Sequence, residues 1–219
     1  MNAATFTMDG LTTPETTVRF ARIRVPRTVE TVSDDEDAQL MLAYARGEMR
    51  AFETLYSRHR GALYRYLTRQ ARDGEIANDL FQEVWSRVIV NRARYEPRAK
   101  FRTFLFTLAH NCFIDHCRRT KARPAGLRVE DADDADLLPA PEDTQPDAAL
   151  SKDESSRRYR AALATLPAEQ RDVYLLHEES DLSLEEIARI TGVGAETAKS
   201  RLRYAVAKLK AALSVAEAR

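Results

Sequence analysis

Residues 183–209, with the sequence SLEEIARITGVGAETAKSRLRYAVAKL, predict two helices separated by a tight glycine turn. Ser183 and Glu186 have the S-x-x-E spacing of a capping box, in which each side chain accepts a hydrogen bond from the other residue's backbone N–H. Gly192 follows the first apolar stretch and suits the left-handed conformation that ends a helix. This pattern is typical of a helix-turn-helix, a motif that places its second helix in the major groove of DNA.

The second of these helices, from Ala195 onward, has two chemically different sides. Its apolar residues recur at three- and four-residue steps and are expected to face a core. The opposite side and its flanks are small, polar and cationic, which lets a helix reach base edges and phosphates. A helical hairpin with a merely solvated face is the plainer alternative. We predict DNA contacts from Thr197, Lys199, Ser200, Arg201, Arg203 and Tyr204.

The chain has a net charge of zero, but its charges are unevenly distributed. Residues 37–123 carry 17 Lys and Arg against 9 Asp and Glu, whereas residues 124–156 carry 2 against 10. Separate patches act locally, because salt screens charges over about 8 Å at physiological ionic strength. A neutral total therefore does not exclude a nucleic-acid partner.

Composition and periodicity predict an all-α protein of two small helical domains joined by an acidic flexible linker. Residues 1–36 are expected to form a disordered tail and residues 37–123 a basic helical domain. Residues 124–156 are acidic and proline-containing, as in a linker. Residues 157–219 are expected to form the helix-turn-helix domain.

An arginine-rich loop between two predicted helices, residues 91–100, is followed by an aromatic stretch that begins at Phe101. Single-stranded nucleic acid binds such combinations, because bases stack on rings while cations follow the backbone. Most of these aromatic residues are needed for the core of the domain. Tyr95, within the loop, is the better stacking candidate.

The sequence contains no recognisable catalytic or metal site, and no cofactor is expected. His110, Cys112, His116 and Cys117 lie on one predicted helix, but they form two pairs that point in nearly opposite directions. They are therefore not expected to converge on one ion. No paired carboxylates, glycine-rich phosphate loop or nucleophile–base arrangement is present, so we predict a protein that is not an enzyme.

The small number of cysteines and the hydropathy predict a cytoplasmic protein without membrane insertion. Only two cysteines occur, too few for a disulfide framework. No apolar run approaches the ~20 residues of a membrane span.

Three stretches, 77–85, 101–119 and 182–202, together resemble the extracytoplasmic-function (ECF) sigma factors of the sigma-70 family. The first is similar to region 2.2, the second to regions 2.3 and 2.4, and the third to region 4.2. The last is common among helix-turn-helix proteins, whereas all three in this order are specific. The resemblance covers roughly residues 37–213.

The resemblance implies an alternative sigma factor, which binds core RNA polymerase and directs promoter recognition, DNA melting and initiation. It implies polymerase contacts from Asp79, Gln82, Glu83 and Ser86. It implies contacts with the −10 region from Tyr95, Lys100, Phe101, Arg102, Asn111, Asp115, Arg118 and Arg119. The helix-turn-helix residues named above would contact the −35 element, and an anti-sigma factor is an expected further partner.

The sequence departs from the family pattern at two positions. Phe104 stands where the family usually has Trp, and Asn78 stands where many members have an acid. The Asn78 departure bears on polymerase affinity or its regulation. The main alternative function is a helix-turn-helix regulator that binds an operator as a dimer. Such a regulator would need a ligand or dimerisation domain, and the arginine-rich aromatic loop stands in its place.

Overall fold

The computed structural model describes residues 35–71, 73–122 and 146–217. Within these ranges the chain forms helices and turns without a strand, which confirms the predicted all-α class. A short 3-10 turn, Arg92–Arg94, follows the third helix. The helices are α1 (Glu36–Ala45), α2 (Met49–Ala71), α3 (Gly74–Val90), α4 (Phe101–Ala122), α5 (Pro146–Ala164), α6 (Ala168–Ser180), α7 (Leu184–Thr191) and α8 (Ala195–Glu217).

Aspartate side chains cap the N-termini of two helices of the N-terminal domain. Asp35 accepts a hydrogen bond from the backbone N–H of Asp37 at 3.2 Å. Asp73 accepts from the N–H groups of Glu75 and Ile76 at 2.8 and 3.2 Å. Each cap satisfies donors that a helix start leaves unpaired and stabilises the helix by about 1 kcal/mol.

The core of the N-terminal domain lies between α2, α3 and α4, and α1 packs across α2. Leu63, Tyr66, Val84, Phe101 and Phe106 are completely buried there. Full burial of each such side chain contributes roughly 1.5–3 kcal/mol before the entropy of ordering is counted. This core holds α3 and α4 side by side.

The C-terminal part of the acidic segment predicted as a linker is helical in the structure. Helix α5 begins at Pro146, so residues 146–156 belong to a helix and not to a connector. Proline is tolerated in the first helical turn, because the N–H that it lacks has no partner there. Residues 123–145, and residues 1–34 of the predicted tail, lie outside the described residues.

The helix-turn-helix in the C-terminal domain is formed by α7 and α8. Both hydrogen bonds of the predicted capping box are present, from Ser183 N–H to Glu186 at 2.9 Å and from Glu186 N–H to Ser183 Oγ at 3.2 Å. Gly192 ends α7 with a φ of 70°, the left-handed value that the sequence predicted. Helices α5 and α6 complete the domain around Leu176, Ile187 and Leu209.

The two helical domains pack directly against each other. Helices α2 and α4 of the first domain contact α6 and α7 of the second, and buried residues of both form one continuous apolar cluster. The sequence predicted two helical domains joined by a flexible linker. It did not predict this interface.

Candidate polymerase-binding and DNA-binding faces

The outer face of α3 carries the predicted polymerase contacts. Asp79, Gln82 and Ser86 are exposed on it, next to Asn78. Glu83 differs, because it is half-buried and forms ion pairs with Arg87 on α3 at 2.5 Å and Arg119 on α4 at 3.7 Å. Three of the four predicted residues therefore present free polar groups, whereas Glu83 also joins α3 to α4.

The arginine-rich loop folds onto an aromatic cluster at the start of α4. The Tyr95 ring lies 5.2 Å from Phe104 and 6.4 Å from Phe101, in edge-on geometry. Its hydroxyl is buried without a hydrogen-bond partner, and burial raises the pKa of Tyr95 above its ordinary value. Tyr95 is half-buried, so only part of its ring is available for stacking.

Phe101 requires a correction as a predicted DNA contact. Its side chain is completely buried, and it packs against the ring of His59 at 5.3 Å. A completely buried ring cannot touch DNA without a local rearrangement. Phe101 instead anchors the first turn of α4, while its neighbours Lys100 and Arg102 retain exposed surface.

A carboxylate holds the N-terminus of α4 against α1. The backbone N–H of Phe101 donates to Asp35 at 2.6 Å, so one side chain caps both helices. Nearby, buried His59 lies 2.7 Å from Asp37, which also accepts a 2.7 Å hydrogen bond from Arg58. Sequence reasoning missed these residues, because a contact between positions so far apart in the chain leaves no periodic signal.

The two pKa values of this pair are both lowered, for different reasons. Burial lowers the pKa of His59 more than the neighbouring carboxylate raises it. Burial alone would raise the pKa of Asp37, but the hydrogen bonds and charges of Arg58 and His59 together outweigh that effect. A neutral imidazole beside a charged carboxylate is therefore the state at pH 7.

The second half of α4 carries the remaining predicted −10 contacts. Asn111 and Asp115 are half-buried, and Arg118 and Arg119 are exposed. Asp115 lies 3.9 Å from both Arg87 and Arg118. The structure thus brings these residues next to Glu83 and Arg87 on α3, so the predicted polymerase and −10 faces adjoin each other.

The Cys112 side chain belongs to the core, as predicted. It is completely buried, and burial raises the pKa of its thiol to about 12. His110, by contrast, lies at the interface between the domains, with Nδ1 3.0 Å from an oxygen of Asp172 but out of line for a hydrogen bond. Among the described residues, no group of three or more His, Cys, Asp or Glu side chains is arranged to hold a metal ion.

The outer face of α8 presents most of the predicted −35 contacts. Thr197, Lys199, Arg203 and Tyr204 are exposed, and Ser200 is half-buried. The Arg203 guanidinium stacks over the Tyr204 ring at 5.1 Å, which leaves its remaining N–H groups open to solvent. This is a polar, cationic surface with a rigid helix behind it.

Arg201 differs from its neighbours on α8. Its guanidinium is ion-paired with Glu169 near the start of α6, and only 23% of its side chain is exposed. The sequence placed Arg203 on the outer side of α8 and Arg201 on its flank, and predicted DNA contacts from both. The structure separates them, since Arg201 braces α8 against α6 and Arg203 faces outward.

The fold is that of an all-α protein with a helix-turn-helix domain on the C-terminal side of a second helical domain. The family model described as Sigma-70 region 2 matches residues 55–123, and that described as Sigma-70, region 4 matches residues 156–209.

Curated relatives span most of the chain. RNA polymerase sigma factor CarQ of Myxococcus xanthus is 32% identical over 178 residues, which are 81% of this chain and 97% of the relative. ECF RNA polymerase sigma factor SigM of Mycobacterium tuberculosis is 29% identical over 79% of this chain and 82% of its own.

Two solved structures share the fold. One is CnrH in complex with the cytosolic domain of CnrY, with a TM-score of 0.60, 24% identity, and coverage of 83% of this chain and 99% of that one. The other is the sigma factor RpoE in complex with the anti-sigma factor NepR from Bartonella quintana, with a TM-score of 0.60, 23% identity, and coverage of 75% and 97%.

The chain belongs to the ECF group of the sigma-70 family. It is an alternative sigma factor, a non-catalytic transcription initiation factor that works with core RNA polymerase and promoter DNA. The alternative of an operator-binding regulator is not supported, because the region 2 match accompanies the helix-turn-helix. In the described parts of the chain, no helix is long and apolar enough to cross a membrane.

Proposed function

We propose a division of promoter work between the two domains, with residues 37–123 binding core polymerase and the −10 element and residues 157–219 binding the −35 element. The observation that carries this proposal is the contrast between faces. Helices α3 and α8 each have an outer side that is polar and exposed while their inner sides are buried. Exposed polar faces on rigid helices suit binding to macromolecules.

The polymerase contact is assigned to the outer face of α3. Asp79, Gln82 and Ser86 are exposed there, and Glu83 supplies a further carboxylate at the edge. An acidic, polar helix face suits a basic partner helix of the polymerase. The adjoining ion pairs with α4 support α3 in one orientation.

The −10 contact is assigned to the loop around Tyr95 and to α4. Lys100 and Arg102 supply charge at the start of α4, and Arg118 and Arg119 supply it near the end. Between them, Asn111 and Asp115 offer hydrogen-bonding groups that can read a base. Capture of a flipped base requires a pocket beside a loop, and the arginine-rich loop lies at the start of α4.

The −35 contact is assigned to α8, through the outward residues Thr197, Lys199, Ser200, Arg203 and Tyr204. Their chemistry fits direct readout and phosphate contact in the major groove. Because a sigma factor acts on the polymerase, a cytoplasmic location follows from the proposal. An anti-sigma factor is a further proposed partner, supported by the two similar folds solved as complexes with a CnrY domain and with NepR.

Run-off transcription tests this proposal. Purified core polymerase and genomic promoter fragments are incubated with and without the protein. Transcripts that start only in its presence are expected, and their start sites give the promoter sequence. Absence of such transcripts, together with no co-elution with core polymerase, would refute the proposal.

A further inference from the structure

A basic face on α2 is covered by the C-terminal domain. Arg65 and Arg69, one turn apart on α2, both pair with Glu179 of α6, and the Arg65 Nε lies 2.7 Å from its carboxylate. The Glu179 side chain is only 4% exposed, although Arg65 remains 56% exposed. A single buried carboxylate therefore sits between two arginines from the other domain.

A third arginine, Arg102 on α4, makes the same kind of contact. It donates to the Asp181 carboxylate at 2.7 Å and to the Ser180 carbonyl at 3.1 Å. Asp181 ends α6 with a φ of 47°, a left-handed conformation that Asp and Asn tolerate better than most residues. The end of α6 thus points a carboxylate and a carbonyl at the residue assigned to −10 DNA.

Hydrogen bonds from neutral side chains, next to these ion pairs, fix the position of one domain against the other. Tyr66 and Gln70 donate to one oxygen of buried Asp172 at 2.9 and 2.6 Å. Thr103 donates to Glu186, whose other oxygen completes the capping box of α7. The closed arrangement is therefore a specific, hydrogen-bonded contact between the N-terminal domain and the helix-turn-helix domain.

Arginine binds a carboxylate and a phosphate through the same forked geometry, so a face that holds one group can hold the other. We propose that Arg65, Arg69 and Arg102 form a DNA phosphate-binding face, which the chain masks with Glu179 and Asp181 until the domains separate on promoter DNA. This inference rests on the proposed function and adds Arg65 and Arg69 to the DNA-binding residues. DNA and α6 then compete for one surface.

Masking has a measurable consequence for DNA affinity. When only the open fraction of molecules can use a binding face, the apparent dissociation constant rises in inverse proportion to that fraction. A substitution that opens the molecule without touching the arginines tightens DNA binding. A substitution that removes the arginines also opens the molecule but weakens DNA binding.

The first variant for the test is Glu179→Gln, which keeps the side-chain shape and removes the charge between the arginines. The full-length protein is titrated into a short fluorescein-labelled DNA duplex of random sequence at several salt concentrations. Solution X-ray scattering of the same samples reports domain separation. We expect a larger radius of gyration and DNA binding about fivefold or more tighter at low salt. Glu178→Gln, which removes an exposed charge from the adjacent position, is the matched control and leaves both measurements unchanged.

The second variant is Arg65→Ala with Arg69→Ala. It also separates the domains, but we expect weaker DNA binding and a salt slope reduced by about two, because two phosphate contacts are lost. Arg50→Ala with Arg60→Ala removes the same charge from exposed positions of α2 and controls for net charge. An interface that is only structural would leave each variant with the DNA affinity of its charge-matched control, and that result overturns the inference. So does a radius of gyration that Glu179→Gln leaves unchanged.

The duplex titration needs no polymerase, so its outcome is independent of the run-off assay. If the two variants change DNA affinity in opposite directions but no transcription is observed, the proposed function is refuted and the masked face is supported. Transcription, with each variant binding DNA as its charge-matched control does, would refute the masked face alone. Asp181→Asn repeats the test at a second position, because it preserves the left-handed turn and removes the charge facing Arg102. We expect this variant to bind DNA more tightly. Unchanged binding would count against the masked face.

Discussion

Arg203→Ala and Arg201→Ala are expected to affect DNA binding differently, although both residues belong to the predicted −35 set. The Arg203 guanidinium is exposed and stacks on the Tyr204 ring. The Arg201 guanidinium is paired with Glu169, and three quarters of its side chain is buried against the domain. Arg203 can therefore bind a DNA phosphate and release its counterion directly, whereas Arg201 must first break its ion pair with Glu169.

The magnitude follows from the number of phosphate contacts. One contact contributes about 0.9 to the slope of log affinity against log salt, so between 50 and 200 mM salt it changes affinity about 3.5-fold. Arg203→Ala is expected to flatten the slope by that amount. Arg201→Ala is expected to leave the slope unchanged and to cost roughly 0.5 kcal/mol of stability, because its partner Glu169 is 70% exposed and solvent weakens the ion pair.

Fluorescence anisotropy with a duplex that contains the −35 element mapped by run-off transcription measures these slopes. Arg50→Ala, which removes an exposed charge from α2 in the other domain, is the matched control. Circular dichroism melts of the same proteins report stability. Equal slopes for Arg203→Ala and the parent protein would refute the assigned face, and a flattened slope for Arg201→Ala would show that its internal ion pair opens on DNA.

Three further outcomes are expected. Asp79→Arg with Gln82→Ala abolishes co-elution with core polymerase while the melting temperature stays within a degree or two, and retained co-elution would move the polymerase contact away from α3. Ser183→Ala loses one hydrogen bond of the capping box and lowers stability by about 1 kcal/mol, or about 2–4 °C in a thermal melt; an unchanged melt would contradict a stabilising cap. The lowered pKa of His59 means that the unfolded chain takes up the proton first, so stability falls as the pH drops below the ordinary histidine value of 6.5. Because the pKa of Asp37 is lowered, its charged carboxylate stabilises the fold at pH values above the ordinary aspartate pKa of 3.8. This contribution is lost as the pH falls below that value. Urea titrations across this range check both, and His59→Gln should remove the first decline but not the second.

Local sequence was sufficient to predict α2, α3, α4, α7 and α8 and the inner faces of these helices. The capping box and Gly192 depend on neighbouring residues, so their chemistry can be read directly from the chain. The burial of Ala205 and Leu209 on α8 and of Val84 on α3 follows from helical periodicity in the same way. The buried thiol of Cys112 was also predictable from its place on the apolar side of α4.

Sequence reasoning was less successful where partners lie far apart in the chain. Phe101 was assigned to DNA because aromatic residues beside arginines suit stacking, yet it fills the core beside His59. Arg201 was grouped with Arg203 by proximity on α8, yet its ion pair is with α6. Helix α5 was assigned in part to the linker, because composition does not reveal where a helix begins.

The sequence by itself determined the two helical domains, the helix-turn-helix and the exposed sides of α3 and α8. Each is set by interactions within a few residues along the chain, where helical geometry fixes which side chains are neighbours. Only the tertiary structure decided that Glu179 lies between Arg65 and Arg69, and that Arg102 meets the end of α6. Those contacts join residues 79 to 114 positions apart. The packing of whole helices brings these residues together, and no local pattern encodes it.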